Sequence, residues 1–194
     1  MNGRARPLVV VDPGHGGADP GAVNEAAGYR ESDLNLTLAE AFLRVSQGAA
    51  YDVVLLRTTD VFLSLEERAR LANEADASAV LSFHCNAAES AAASGFEVWT
   101  SPGQTAADRL ATLIYLELDA ALVMPGREDL DDGDPDKEAR FYILRKTLAP
   151  AVLVEFGFIT NESDLADLAD EHVQDDMVGA VKRALEGWLR ERLA

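Results

Sequence analysis

Residues 8–17 read LVVVDPGHGG, four branched apolar side chains followed by an Asp-Pro-Gly stop and a histidine set among glycines. Residues 8–11 therefore form a buried strand that halts where the glycines begin. Beyond it, residues 32–45 place Leu34, Leu38, Phe42 and Val45 at helical spacing, with Ser32 or Asp33 to cap the helix. Residues 52–56 form a second strand, and 64–75 form a helix that Ser64 and Glu67 open as a capping box. Residues 79–83 are a third strand running into His84-Cys85-Asn86, and residues 95–99 alternate as a fourth.

The same patterns continue to the end of the chain. Residues 105–122 are helical, while 124–140, rich in Asp, Gly and Pro, are expected to be a solvated loop. Residues 141–144 read as a short strand and 151–156 as a strong one. Residues 175–193 form a closing amphipathic helix with Val178, Val181, Leu185, Trp188 and Leu189 inward. Strands alternating with helices imply an α/β fold with a central, mostly parallel sheet covered by helices on both faces. The fourth strand follows the third without a helix, so one antiparallel pairing makes the sheet mixed. With 48% hydrophobic and 26% charged residues in 194, one domain over 1–194 with a core at about 8–190 is expected.

Composition also excludes partners. A net charge of −17 argues against nucleic acid, because phosphate binding needs clustered Lys and Arg. No apolar run is long enough for a membrane span, and the apolar stretch after the first residues is too short for a signal peptide. The single cysteine, Cys85, excludes an internal disulfide, and strand alternation turns it away from His84 and Asn86 as a small buried hydrophobe.

The chemistry gathers where strands run out. His15 follows the first strand, His84 the third, and Glu155 ends the late strand inside the apolar run AVLVEFGFI. In open α/β sheets that edge is where ligands bind, and a carboxylate among apolar residues is costly unless it has a partner or a task. Two imidazoles and a carboxylate make an N2O set suited to zinc, and Glu31, just before the first helix, is the natural third ligand on a short polar loop. Asp12 reads equally as a partner orienting His15 and as a turn residue before Pro13. GHGGAD is a poor dinucleotide turn because Asp19 stands at the third glycine position, and neither a P-loop nor a His-Glu-x-x-His motif occurs. His172, among acidic neighbours, reads as a solvated surface residue. The acidic loop at 129–136 lacks the spacing of a calcium EF-hand and reads as solvated.

The strings VVVDPGHGG, YRESDLNL, LLRTTD, SLEERARLAN, SFHCNA and AVLVEFGFITN, in this order, resemble the zinc-dependent N-acetylmuramoyl-L-alanine amidases of the Amidase_3 type. The resemblance runs from about Leu8 to Leu189. It implies that His15, Glu31 and His84 bind Zn2+, that Glu155 is the catalytic carboxylate, and that Asn86 helps to bind substrate or organise the site. It also implies hydrolysis of the amide between N-acetylmuramic acid and the L-alanine of the peptidoglycan stem peptide. The implied setting is the bacterial cell wall, outside the cytoplasm or after phage lysis, as an autolysin or endolysin. The chain is expected to act as a monomer, without the helical insertion that blocks the zinc in regulated members. The alternatives are a non-catalytic peptidoglycan-binding module and a zinc peptidase cutting within the stem peptide.

Overall fold

In the computed structural model, which describes residues 6–131 and 133–193, the opening apolar run becomes β1 (Leu8–Pro13), and every residue in it is buried. A small antiparallel pair, β2 (Val23–Asn24) and β3 (Tyr29–Arg30), leads into α1 (Glu31–Val45). β4 (Asp52–Leu55) and α2 (Leu65–Glu74) follow, and the Ser64 side chain accepts a hydrogen bond from the Glu67 N–H at 3.1 Å, as the capping pattern requires. β5 (Ala79–Asn86), β6 (Glu97–Thr100) and α3 (Asp108–Ala121) occupy the positions that the periodicities assign. The chain continues through β7 (Lys137–Glu138), α4 (Tyr142–Lys146), β8 (Ala151–Phe158), α5 (Glu162–Ala169) and α6 (Glu171–Leu193).

The main sheet has six strands in the order β4-β1-β5-β8-β6-β7. β1 pairs in parallel with β4 and β5, and β5 with β8, so these strands end along one edge. β6 is antiparallel to β8, the one reversal that the sequence implies. On one face, Val9, Val11, Leu81, Phe83, Val152, Val154 and Phe156 pack beneath α1, α3 and α6. Phe83 stands edge-on to both Phe42 and Phe156, with ring centroids 5.8 and 5.0 Å apart. A smaller apolar cluster covers the other face, joining Leu8, Val10, Val80 and Leu153 to Ala69 and Ala72 of α2 and to Ile143 and Leu144 of α4.

Four expectations need correction. Residues 124–140 are not a wholly solvated loop, because Met124 and Asp136 are buried and Lys137–Glu138 pairs with β6 as β7. Residues 141–144 are not a strand. Tyr142–Lys146 turns as a short helix, which buries the adjacent Ile143 and Leu144 together, whereas strand alternation would split them between faces. The closing helix starts at Glu171 and is preceded by α5, whose cap is Asn161 accepting from the N–H groups of Ser163 and Asp164. Neither Ser32 nor Asp33 caps α1. The helix begins at Glu31, Ser32 is buried within it, and Asp33 pairs with Arg30 at 2.7 Å.

Candidate functional site

Parallel pairing of β1 and β5 carries His15 and His84 to the same sheet edge. His15 lies two residues beyond β1 with a φ of 59°, and the glycines after it, Gly16 and Gly17, also have positive φ, so the loop doubles back over the edge. The loop lies very close to the site. A Cβ on Gly14 would stand 2.1 Å from the His84 ring, and one on Gly21 would stand 2.5 Å from Glu31 Oε2. Glycine at these two positions lets an imidazole and a carboxylate approach the backbone.

Glu31 opens α1, so a helix and not a mobile loop aims its side chain. Its Oε1 meets His84 Nδ1 at 2.9 Å and His15 Nε2 at 3.2 Å. Asn35, one helical turn on, and the Cys85 N–H reach the same oxygen at 3.3 Å, while Oε2 accepts from the Ala22 N–H at 2.9 Å. Ligating atoms of His15, Glu31 and His84 all lie within 4.8 Å of one another. Burial favours a neutral Glu31, but the hydrogen bonds from both histidines hold its carboxyl well below the usual range. Burial lowers the His15 pKa, and its bonds to Glu31 and Asp19 more than reverse this, raising it to about 9. His84 is raised in the same way, against its burial, chiefly by the Glu31 hydrogen bond. A carboxylate that attracts protons onto two facing imidazoles can equally hold a metal ion between them.

Glu155 lies beside this group. In the sheet its position pairs with His84 on one side and Glu97 on the other. Its Oε2 is fully buried and has no hydrogen-bond partner among the described residues. Burial raises its pKa, His84 opposes the rise, and Glu31 and Glu97 add to it, leaving it at about 7. All four residues line a cavity of about 590 Å³, which Phe62, Leu63, Leu65, Phe141 and Tyr142 also line. Asn86 also lines it, with its amide donating to Glu97 Oε2 at 3.1 Å. Glu97 is buried, and its other oxygen accepts from Arg127 at 2.8 Å and Lys137 at 2.9 Å.

The structure moves other residues away from their expected places or adds to them. Asp12 does not touch His15. It is buried in an ion pair with Arg68 at 2.5 Å and accepts from the Ser82 hydroxyl, and Arg68 in turn donates to the carbonyls of Pro13 and His15. Arg57, also buried, donates to the carbonyls of Pro13, Gly14 and Ser32, so two guanidinium groups fix the histidine loop. The residue that orients His15 is Asp19, whose Oδ2 meets Nδ1 at 2.8 Å and thereby leaves Nε2 facing Glu31. Sequence reading missed Asn35, Arg57 and Arg68. The available signal was polar side chains on inward positions: Asn35 on the Leu34/Leu38 face and Arg68 beside Ala69 and Ala72. Cys85 packs into the large core, burial pushes its thiol upward, and His172 is exposed far along the chain on α6.

The Amidase_3 model, described as N-acetylmuramoyl-L-alanine amidase, matches residues 9–187. The chain belongs to this family. This family member is 35% identical over 175 residues to the N-acetylmuramoyl-L-alanine amidase LytC of Bacillus subtilis (strain 168), covering 89% of the chain and 34% of LytC. It therefore spans about a third of that relative's length. An N-acetylmuramoyl-L-alanine amidase from Clostridium difficile 630 superposes with a TM-score of 0.86 at 30% identity, covering 96% of this chain and 98% of the other. The catalytic domain of CwlV, from Bacillus (Paenibacillus) polymyxa var. colistinus, does so at 0.85 and 29% identity, covering 95% and 98%.

Proposed function

We propose that this chain is a zinc-dependent N-acetylmuramoyl-L-alanine amidase that cleaves the amide joining N-acetylmuramic acid to the stem peptide of peptidoglycan. The observation that carries the reading is the meeting of His15, Glu31 and His84 around one point, with the unpartnered Glu155 oxygen beside them in the cavity. The donor chemistry fits zinc: two imidazole nitrogens and one carboxylate oxygen, the set that a catalytic zinc uses while keeping a position open. Family membership and the amidase activity for which LytC and CwlV are named support the same reading.

In this scheme His15, Glu31 and His84 are the ligands, and the hydrogen bond that His15 Nδ1–H donates to Asp19 Oδ2 fixes the tautomer and tilt of His15. Bound there, zinc supplies Lewis acidity toward the scissile carbonyl and lowers the pKa of water. Glu155 takes a proton from the attacking water, for which a pKa near neutrality suits it, and returns it to the departing alanine nitrogen. Burial of its side chain keeps the Glu155 carboxyl basic enough for this role. Asn86, held by Glu97, is placed to meet a polar group of the substrate. The site of action is the bacterial cell wall. Among the described residues no helix is long and apolar enough to cross a membrane.

Digestion of purified sacculi followed by mass spectrometry tests the activity. Free stem peptides with unsubstituted muramic acid are the expected products. Shortened stems would instead make the chain a peptidase, and unchanged sacculi would make it a binding module.

A further inference from the structure

On β6, Phe96 and Val98 turn into the large core, and Glu97 between them turns to the opposite face, where its position pairs with that of Glu155. Glu97 is 4% exposed, and a charge so buried is costly unless its partners hold it. Two cations do so, each placed by backbone pairing. The Arg127 N–H donates to the Phe96 carbonyl at 2.9 Å and brings the guanidinium to Glu97 Oε1, while Lys137 reaches the same oxygen from β7. Arg127 also lies over the Phe158 ring and Lys137 over the Trp99 ring, 5.2 and 5.3 Å from the centroids. With Oε1 taken, Oε2 accepts from the Asn86 amide nitrogen. The other end of that amide is fixed as well, because Asn86 Oδ1 accepts from the Ala87 N–H at 2.8 Å. A carboxylate only accepts and an N–H only donates, so the Asn86 amide cannot flip without breaking both bonds. Glu97 engages one of the two Nδ2 protons, and the second has no acceptor among the described residues, although Asn86 lines the cavity.

We propose that Glu97, clamped by Arg127 and Lys137, is a positioning residue that fixes Asn86 so that its remaining N–H donates to an amide carbonyl of the substrate. The proposal rests on the amidase reading, in which the metal takes the scissile carbonyl, so the carbonyl that Asn86 meets is a non-reacting one. At this point the site demands a hydrogen-bond acceptor and refuses a donor. A bond to a carbonyl that does not react is made in the ground state and the transition state alike, and therefore acts on KM.

The test is steady-state kinetics of the full, zinc-loaded chain on a soluble muramoyl peptide. In Glu97→Gln the side-chain oxygen stays with Arg127 and Lys137, and its NH2 group meets that of Asn86, donor against donor. KM should rise about tenfold, with kcat within about threefold of the wild type and the zinc content unchanged. Asn86→Ala should raise KM as much, and Glu97→Gln added to it should cost nothing further. Arg127→Gln, at an exposed residue, repeats the cycle should Glu97→Gln fail to fold, with a smaller rise in KM that also vanishes beside Asn86→Ala. Losses that add to that of Asn86→Ala, a loss confined to kcat, or an unchanged KM would overturn the proposal and leave the amidase reading intact. A wild-type chain that releases no stem peptide would overturn the amidase reading, and the proposal with it.

Discussion

On the face covered by α1, α3 and α6, β5 presents Leu81, Phe83 and Cys85 and β8 presents Val152, Val154 and Phe156, all buried in one apolar cluster. On the other face the same strands present Ser82, His84 and Asn86, and Leu153 and Glu155, lining the cavity. Alternate residues of a single strand therefore do separate work, and the covering helices account for the difference. Long helices seal the first face, whereas α2 and α4, 10 and 5 residues long, cover only the start of the strands on the second and leave their C-terminal ends open. Burial is complete where stability is needed and withheld where a substrate must enter.

Adjacent residues offer the sharpest way to break this division. Glu155→Gln, on the open face, should lower kcat by about 10²–10⁴-fold while leaving the folded protein as stable as before. An active variant would remove Glu155 from the chemistry. Phe156→Ala, one residue on but facing the sealed core, should cost about 3–5 kcal/mol in denaturant unfolding with near-normal kcat in the folded fraction. If it cost kcat and not stability, the two faces would not be separable. A smaller effect is expected at Asp19, which touches only His15 and its own loop. Asp19→Ala should weaken zinc about 10–100-fold in competition with a chelator and barely shift Tm. Unchanged zinc affinity would show that the loop glycines and arginines suffice to hold the imidazole.

Much of this was legible in the sequence because alternation and helical spacing are local signals. The strands at 8–11, 79–83 and 151–156 and the antiparallel strand at 95–99 correspond to β1, β5, β8 and β6. The run at 141–144 was not, since four apolar residues fit a strand and a helical turn alike, and only docking of Ile143 and Leu144 against α2 decides between them. α5 escaped for a similar reason. Its Asp164 is buried and accepts from Ser94, Gly95 and Phe158, partners remote in sequence or beyond a turn. At the site, His15, Glu31, His84 and Glu155 stood out as polar residues at strand ends or beside a helix start. Arg57 did not, because it donates to main-chain carbonyls, which carry no sequence signature, and Arg68 did not, because its partners, the Asp12 carboxylate and the carbonyls of Pro13 and His15, lie 53 to 56 residues earlier in the chain. Neither of the two readings open for Asp12, partner of His15 or turn residue, describes it, because its carboxylate pairs with Arg68, a residue 56 positions away.

The central claim is that one metal ion sits between His15, Glu31 and His84 while Glu155 acts on water and not as a ligand. Metal analysis of purified His84→Ala and Glu155→Gln beside the wild type tests it most directly. The account predicts about one zinc per chain in the wild type and in Glu155→Gln, and almost none in His84→Ala. Wild-type zinc in His84→Ala, or loss of zinc from Glu155→Gln, would contradict it.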